Sequence, residues 1–263
     1  MRFRRCVLLV LFGLLCPLPV GAQQPVPRDP RALAILAQSL AAMGGTVPRD
    51  SVATGTVVLV AGSLTETGTL RILIRGLDQT ASQIQTQHRS RQETYSGGLA
   101  SLKEGSSTKA LSLELAASSQ WLGFPLILIA AALNNPDIAF QYVGLETLDG
   151  LAVHHVRLWN TFSSNPEMRH LAEFTVKDLW LDASSSLPRK LSCIRRAASG
   201  AEPGIPLDVY FSDYRNVGGV LYPFRIEKSL NGTPWATITI QSVAFNTGLT
   251  DADFPIQIGR AHV

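Results

Sequence analysis

The stretch Leu207–Phe245, LDVYFSDYRNVGGVLYPFRIEKSLNGTPWATITIQSVAF, decides the fold. It reads as three strand runs, 207–215, 219–230 and 233–245. Gly218-Gly219 are turn glycines, and Asn231-Gly232 is the strongest short hairpin signal a sequence offers, because a type I′ turn needs φ > 0 at both central positions. Strands joined by tight turns pair antiparallel.

The same rhythm runs upstream. Segments 188–197 and 172–182 are joined by Ser184 to Pro188, and 151–160 and 137–146 by Leu148-Asp149-Gly150. Ser163-Ser164-Asn165-Pro166 and the Gly/Pro/Ala-rich 198–206 read as loops. Further back, Leu64 to Arg75 alternates, with Leu70, Ile72 and Ile74 on one face and Arg71, Leu73 and Arg75 on the other. Val52 to Ala61 is a Val/Thr-rich strand, Thr80 to Tyr95 is one longer polar strand or two short ones, and Leu99 to Lys109 is a hairpin plus loop. The total is about ten strands.

Helices are expected in two places. Asp29 caps and Pro30 opens a helix over Ala32 to Met43, which Gly44-Gly45 ends. The Ala/Leu-rich 111–133 divides at Gly123-Phe124-Pro125 into helices over about 111–120 and 126–133, and Asn134-Asn135-Pro136 stops the second. The fold class is mainly β with α: a large curved antiparallel sheet forming a half-open barrel, wrapped on an N-terminal helix and a central helical lid. Residues 23–257 form a single domain.

Both ends are set apart. Arg2, Arg4 and Arg5, the apolar run Cys6 to Leu15 and the small-residue site Val20-Gly21-Ala22 make residues 1–22 a secretory signal peptide. The apolar run is short of the ~20 residues a spanning helix needs, so no transmembrane segment is expected once the leader is removed, and the expected location is periplasmic. The last residues, IGRAHV at 258–263, resemble the frame translation of a common sequencing adapter; the native chain is expected to run on past about Ile256.

The formal charge of +3 comes from 23 Lys and Arg against 20 Asp and Glu. Removing the leader, with its three arginines and no acid, leaves 20 against 20. A neutral mature chain lacks the basic surface a nucleic-acid binder needs. Cys6 and Cys16 leave with the leader, so Cys193 has no partner for a disulfide and no cysteine metal site is expected. Nucleophile elbows, phosphate loops and metal-spaced histidines are absent. His154 and His155 are strand neighbours that point to opposite faces. Asp178 and Asp182 share a face but lie roughly 13 Å apart, too far for paired-acid chemistry. No catalytic residue, metal or cofactor is expected.

What remains is an apolar interior. The uncharged Trp121, Phe124, Ile127 and Leu128 must leave water, and burial at ~25 cal/mol per Å² docks them on the sheet. Leu70, Ile72, Ile74, Ile138, Phe140, Tyr142, Phe174, Val176, Val209 and Phe211 supply the concave partner. Such residues fill a core or line a cavity for an apolar ligand; patterning does not separate the two.

Three segments carry a resemblance: LWLDASSSLPRKL (Leu179–Leu191), FSDYRNVGGVLYPFRI (Phe211–Ile226) and SVAFNTGLTDADFPI (Ser242–Ile256). With the exported start and the helix ending Met43-Gly44-Gly45, they resemble the LolA-like lipoprotein-carrier superfamily, which includes outer-membrane lipoprotein-sorting proteins, and also uncharacterised exported proteins of acidobacterial type. The resemblance implies a half-open barrel with a helical lid, whose cavity receives acyl chains. The carriers also hold the lid with an arginine on an early strand; Arg71 or Arg75 lies in about that strand, without a residue-by-residue match. Thr80 to Gln87 is more polar than the carrier pattern. The expected function is non-enzymatic: carriage or binding of lipid or lipoprotein acyl chains in the cell envelope. The alternative is a sensory or scaffold protein of the same fold that binds an envelope protein.

Overall fold

The computed structural model describes residues 26–119, 123–196 and 204–256. The leader, the 258–263 tail, Trp121 and most of the 198–206 loop lie outside the described residues.

The first element is helix α1 (Pro30–Ala42). Asp29 caps it, its carboxylate accepting from the backbone N–H of Arg31 at 2.7 Å and Ala32 at 3.2 Å. Six strands follow: β1 (Asp50–Ala61), β2 (Leu64–Arg75), β3 (Gln79–Thr86), β4 (Ser90–Ser96), β5 (Leu99–Glu104) and β6 (Ser107–Ala110). Helices α2 (Leu113–Ser119) and α3 (Pro125–Asn134) come next. The remaining strands are β7 (Ile138–Leu148), β8 (Leu151–Asn160), β9 (Lys177–Asp182), β10 (Pro188–Arg195), β11 (Ile205–Val217), β12 (Val220–Leu230) and β13 (Thr233–Phe245).

All thirteen strands form one antiparallel sheet, in the order β6-β5-β4-β3-β2-β1-β13-β12-β11-β10-β9-β8-β7. It is a meander in two halves, joined where β1 pairs with β13. The edges β6 and β7 are not paired with each other, so the barrel is half open. Between these edges the chain passes through α2 and α3, which pack on the concave face.

Helix α3 is apolar all round, and Pro125 to Ala132 are all buried. A helix without a polar face is stable only when covered on every side. Here the sheet covers one side, and α1 packs against another through the cluster that holds Ala32, Leu36, Ile127 and Leu128. At the end of α1, Gly44 has φ +112°, and a Cβ there would lie 2.2 Å from the Gly219 carbonyl oxygen. The helix end and the β11–β12 turn therefore meet backbone to backbone, with Leu221 N–H donating to Met43 O at 3.0 Å.

Two expectations need correction. Thirteen strands replace about ten, because Thr80 to Tyr95 and Leu99 to Lys109 resolve into the four strands β3 to β6. The strand expected from 172 begins only at Lys177. Residues Pro166–Thr175 form a 3₁₀ segment that places Phe174 in a helical turn and Val176 just past its end. Proline opens that segment, and its Glu, Arg and His residues do not alternate with apolar ones as a strand requires.

The C-terminal segment covers part of the convex face. Leu73, read from alternation as facing away from Leu70, Ile72 and Ile74, is 1% exposed. Phe254 covers it together with Ala81. Asp50 holds this C-terminal strap, accepting from Thr247 N at 2.6 Å, Thr247 Oγ1 at 2.7 Å and Gly248 N at 3.1 Å.

Candidate functional site

A cavity of about 180 Å³ opens between the curled sheet and the end of α2. Its floor is β1, β2, β3 and β13, which contribute Leu59, Leu70, Ile72, Ile84, Trp235 and Ile238. Alternation puts these side chains on the concave face. Ser119 and Gly123 lie on the helical side, and Leu64 stands exposed at the β1–β2 hairpin.

The opposite wall is charged. Arg91, Glu93 and Tyr95 alternate inward from β4, Arg195 comes from the end of β10 and Lys228 from β12. Glu93 is the hub. Arg195 donates to its Oε1 at 3.0 Å, Arg91 pairs with the same oxygen, and Tyr95 Oη donates to Oε2 at 3.3 Å. Arg91 also reaches Glu104 at 2.9 Å. Arg195 lies 5.7 Å from the Trp235 ring. Burial by itself would raise the Glu93 carboxyl; the guanidinium groups of Arg195 and Arg91 outweigh it and hold the acid below its ordinary range. Burial, with the Glu93 charge, raises the Tyr95 phenol. Lys228 is pushed down to about 8, first by burial and then by Arg195, while Glu93 opposes the shift.

The residues expected to form the apolar surface distribute unevenly. Leu70 and Ile72 line the cavity. They also belong to the central core, where Ile74, Phe124, Ile127, Leu128, Ile138, Phe140, Val209 and Phe211 pack away from the cavity lining. Phe124 lies against Tyr222, with ring centroids 4.3 Å apart. Tyr142 is half-buried on the edge strand β7, under the Arg31 guanidinium at 3.9 Å. Phe174 and Val176 border a separate cleft of about 140 Å³, beside Asp178 and Ser192. Trp121 is outside the described residues.

Arg91, Glu93, Arg195 and Lys228 were not anticipated from the sequence. A signal for two of them exists: Lys228 continues the parity of the buried Tyr222, Phe224 and Ile226, and Arg195 that of Leu191 and Cys193. The polar β3 also gains a reason, since Thr80 and Ser82 border the cavity.

The other sequence candidates have structural roles. His155 lies between Glu146 and Asp178 at 2.7 and 2.8 Å and stacks on Trp180, whereas His154 meets Tyr142. Asp178 also receives Arg157, and Asp182 caps the Ser184-Ser185 turn and pairs with Arg189. Among the described residues no three His, Cys, Asp or Glu side chains group as a metal site. No described helix is long and apolar enough to cross a membrane. Neither Arg71 nor Arg75 reaches α3; Arg71 is exposed, and Arg75 pairs with Asp251 at 2.5 Å. The arginine on α3 is Arg28, which donates to the carbonyls of Ala132, Leu133, Asn135 and Ile138 at 3.0 to 3.3 Å.

No protein-family model matches the chain, and no curated protein matches it in sequence. Solved structures do. A domain described as an outer membrane lipoprotein-sorting protein, from Vibrio parahaemolyticus, superposes with TM-score 0.56 at 16% identity, covering 85% of this chain and 96% of the other. A LolA superfamily protein from Nitrosomonas europaea gives TM-score 0.56 at 16% identity, over 86% and 97%. A DUF1329 family protein from Desulfovibrio piger gives TM-score 0.56 at 11% identity, over 87% and 98%. The fold is LolA-like.

Proposed function

We propose that the chain is an exported, non-enzymatic carrier or binder of a lipid or lipoprotein acyl chain, acting in the periplasm after removal of residues 1–22. The observation that carries this reading is the cavity: an apolar floor of Leu70, Ile72, Ile84 and Ile238 inside a barrel that is open along one side. A sheet this large could have closed its core; instead it leaves space next to side chains that favour hydrocarbon over water. Each methylene buried there contributes ~0.8 kcal/mol, so a single acyl chain is held and still released. The fold, shared with a lipoprotein-sorting domain and a LolA superfamily protein, supports the same reading.

The test is direct. The mature chain, purified from its envelope fraction, is extracted with organic solvent and the extract weighed by mass spectrometry. In parallel, the delipidated protein is titrated with the neutral fluorophore 1-N-phenylnaphthylamine. Co-extracted lipid near one per chain, and saturable fluorescence that Ile84→Asp, at a half-buried floor position, abolishes while the fold is kept, are the expected results. A chain that carries no lipid and takes up no fluorophore would overturn the reading, and the protein-partner alternative would then take its place.

A further inference from the structure

The charged wall of the cavity is more than a carrier of bare hydrocarbon requires. Among the described residues, Arg89, Arg91, Arg195 and Lys228 line the cavity against two carboxylates, Glu66 and Glu93. Arg89 and Glu66 approach each other at 3.8 Å near the mouth. Arg91 and Arg195 share Glu93. Lys228 is left over: its ammonium makes no hydrogen bond or ion pair with any described residue.

A lysine in that position is costly. Its neighbours on the same parity of β12 are Tyr222, Phe224 and Ile226, all buried, and an apolar residue there would continue the core. Burial and the like charge of Arg195 both act against its proton, and Glu93 offsets them only in part. Lys190 is the contrast: it pairs with Asp208 at 3.1 Å and lies over Trp180 and Tyr210, as a lysine with a purely structural role does. An unpartnered ammonium beside a guanidinium, both facing a cavity with an apolar floor, fits a molecule with an anion at one end and hydrocarbon at the other.

We propose that the cavity selects an anionic amphiphile, whose carboxylate or phosphate headgroup pairs with Lys228 and Arg195 while its chain lies on the floor formed by Leu70, Ile72 and Ile84. This rests on the reading of the cavity as an acyl-chain site and names the ligand class. The anion supplies the partner Lys228 lacks and leaves the Glu93 hub in place.

The experiment uses the mature chain loaded with 1-N-phenylnaphthylamine and displaces it with palmitate, lysophosphatidic acid, neutral monopalmitin or inorganic phosphate. Palmitate and lysophosphatidic acid are expected to bind about tenfold more tightly than monopalmitin, the scale of one charge-assisted contact. Millimolar phosphate should displace nothing. Lys228→Met should bring palmitate within about twofold of monopalmitin measured on the same variant. A second measurement needs no variant. The groups acting on Lys228 are Arg195, Glu93 and Cys193, and burial raises the Cys193 thiol above its ordinary value. From pH 6.5 to 9 Lys228 loses its proton, so the palmitate advantage should shrink while monopalmitin binding stays level. Equal affinity for charged and neutral lipids, or an advantage untouched by both Lys228→Met and pH, would overturn the proposal and leave the acyl-chain reading standing. Phosphate competing as well as lysophosphatidic acid would also overturn it, in favour of a free-anion site. If neither fluorophore nor lipid binds, the acyl-chain reading fails and this proposal with it.

Discussion

Glu93 on β4 and Arg195 on β10 meet at 3.0 Å although β3, β2, β1, β13, β12 and β11 lie between their strands in the sheet. In a flat sheet seven strand spacings would hold them roughly 34 Å apart. The contact therefore measures how far the sheet curls, and it fixes two walls of the cavity against each other. Both side chains are largely buried, at 16% and 17% exposure, so this is not a surface pair that solvent would screen away.

Glu93→Gln leaves Arg91 and Arg195 without their shared anion. The expected loss is about 3 kcal/mol at pH 7, read from urea unfolding. The acid of Glu93 is depressed in the folded chain, so its stabilisation is complete above the unfolded value and is lost as pH falls through the folded one. The gap between native chain and variant should accordingly narrow below about pH 4.5. A gap that stays constant down to pH 3 would show that Glu93 contributes no linked charge.

Arg28 closes the C-terminal end of α3 with contacts to four carbonyls, and its guanidinium lies 4.5 Å from the Phe140 ring. Its positive charge also faces the negative end of the helix dipole. Arg28→Ala should cost about 2 kcal/mol, and amide exchange in α3 should accelerate before that of β11 or β12. Unchanged exchange in α3 would contradict this anchoring role.

The Tyr222 hydroxyl is buried with no hydrogen-bond partner among the described residues, and burial raises its phenol above the ordinary value. Removing the oxygen ends a desolvation cost and keeps the ring against Phe124. Tyr222→Phe is expected to stabilise the chain by about 1 kcal/mol, seen as a higher melting temperature. A lower one would mean that the oxygen has a partner in solution, such as an internal water.

Phe254 is 3% exposed and shields Leu73 and Ala81 on the convex face, away from the cavity. Phe254→Ala should cost about 3 kcal/mol in thermal or urea unfolding. Neutral-fluorophore affinity should be unchanged. A large loss of affinity would mean that the strap shapes the concave face as well.

Much of the fold was legible because its signals are local. Asn231-Gly232 and Asp149-Gly150 take positive φ and place the turns where expected. Leu70, Ile72 and Ile74 are buried together, as their alternation requires. Asp29 caps the start of α1 with its carboxylate, and Gly44 follows its end at φ +112°. Each is set by residues within a few positions of one another. The 3₁₀ segment at Pro166–Thr175 was missed because charged residues in short turns leave no period to follow.

The candidate site was less legible, and for a different reason. Sequence by itself determined that the chain is an antiparallel meander with an uncharged helical segment, since side-chain parity, turn glycines and proline stops act over a few bonds. Only the tertiary structure decided that Glu93 faces Arg195, that Lys228 lines a cavity with an apolar floor, and that Arg28 rather than Arg71 or Arg75 holds α3. Those relations depend on the accumulated curl of many strands. Pairing by pairing the curl is small, and no short stretch of residues encodes its sum.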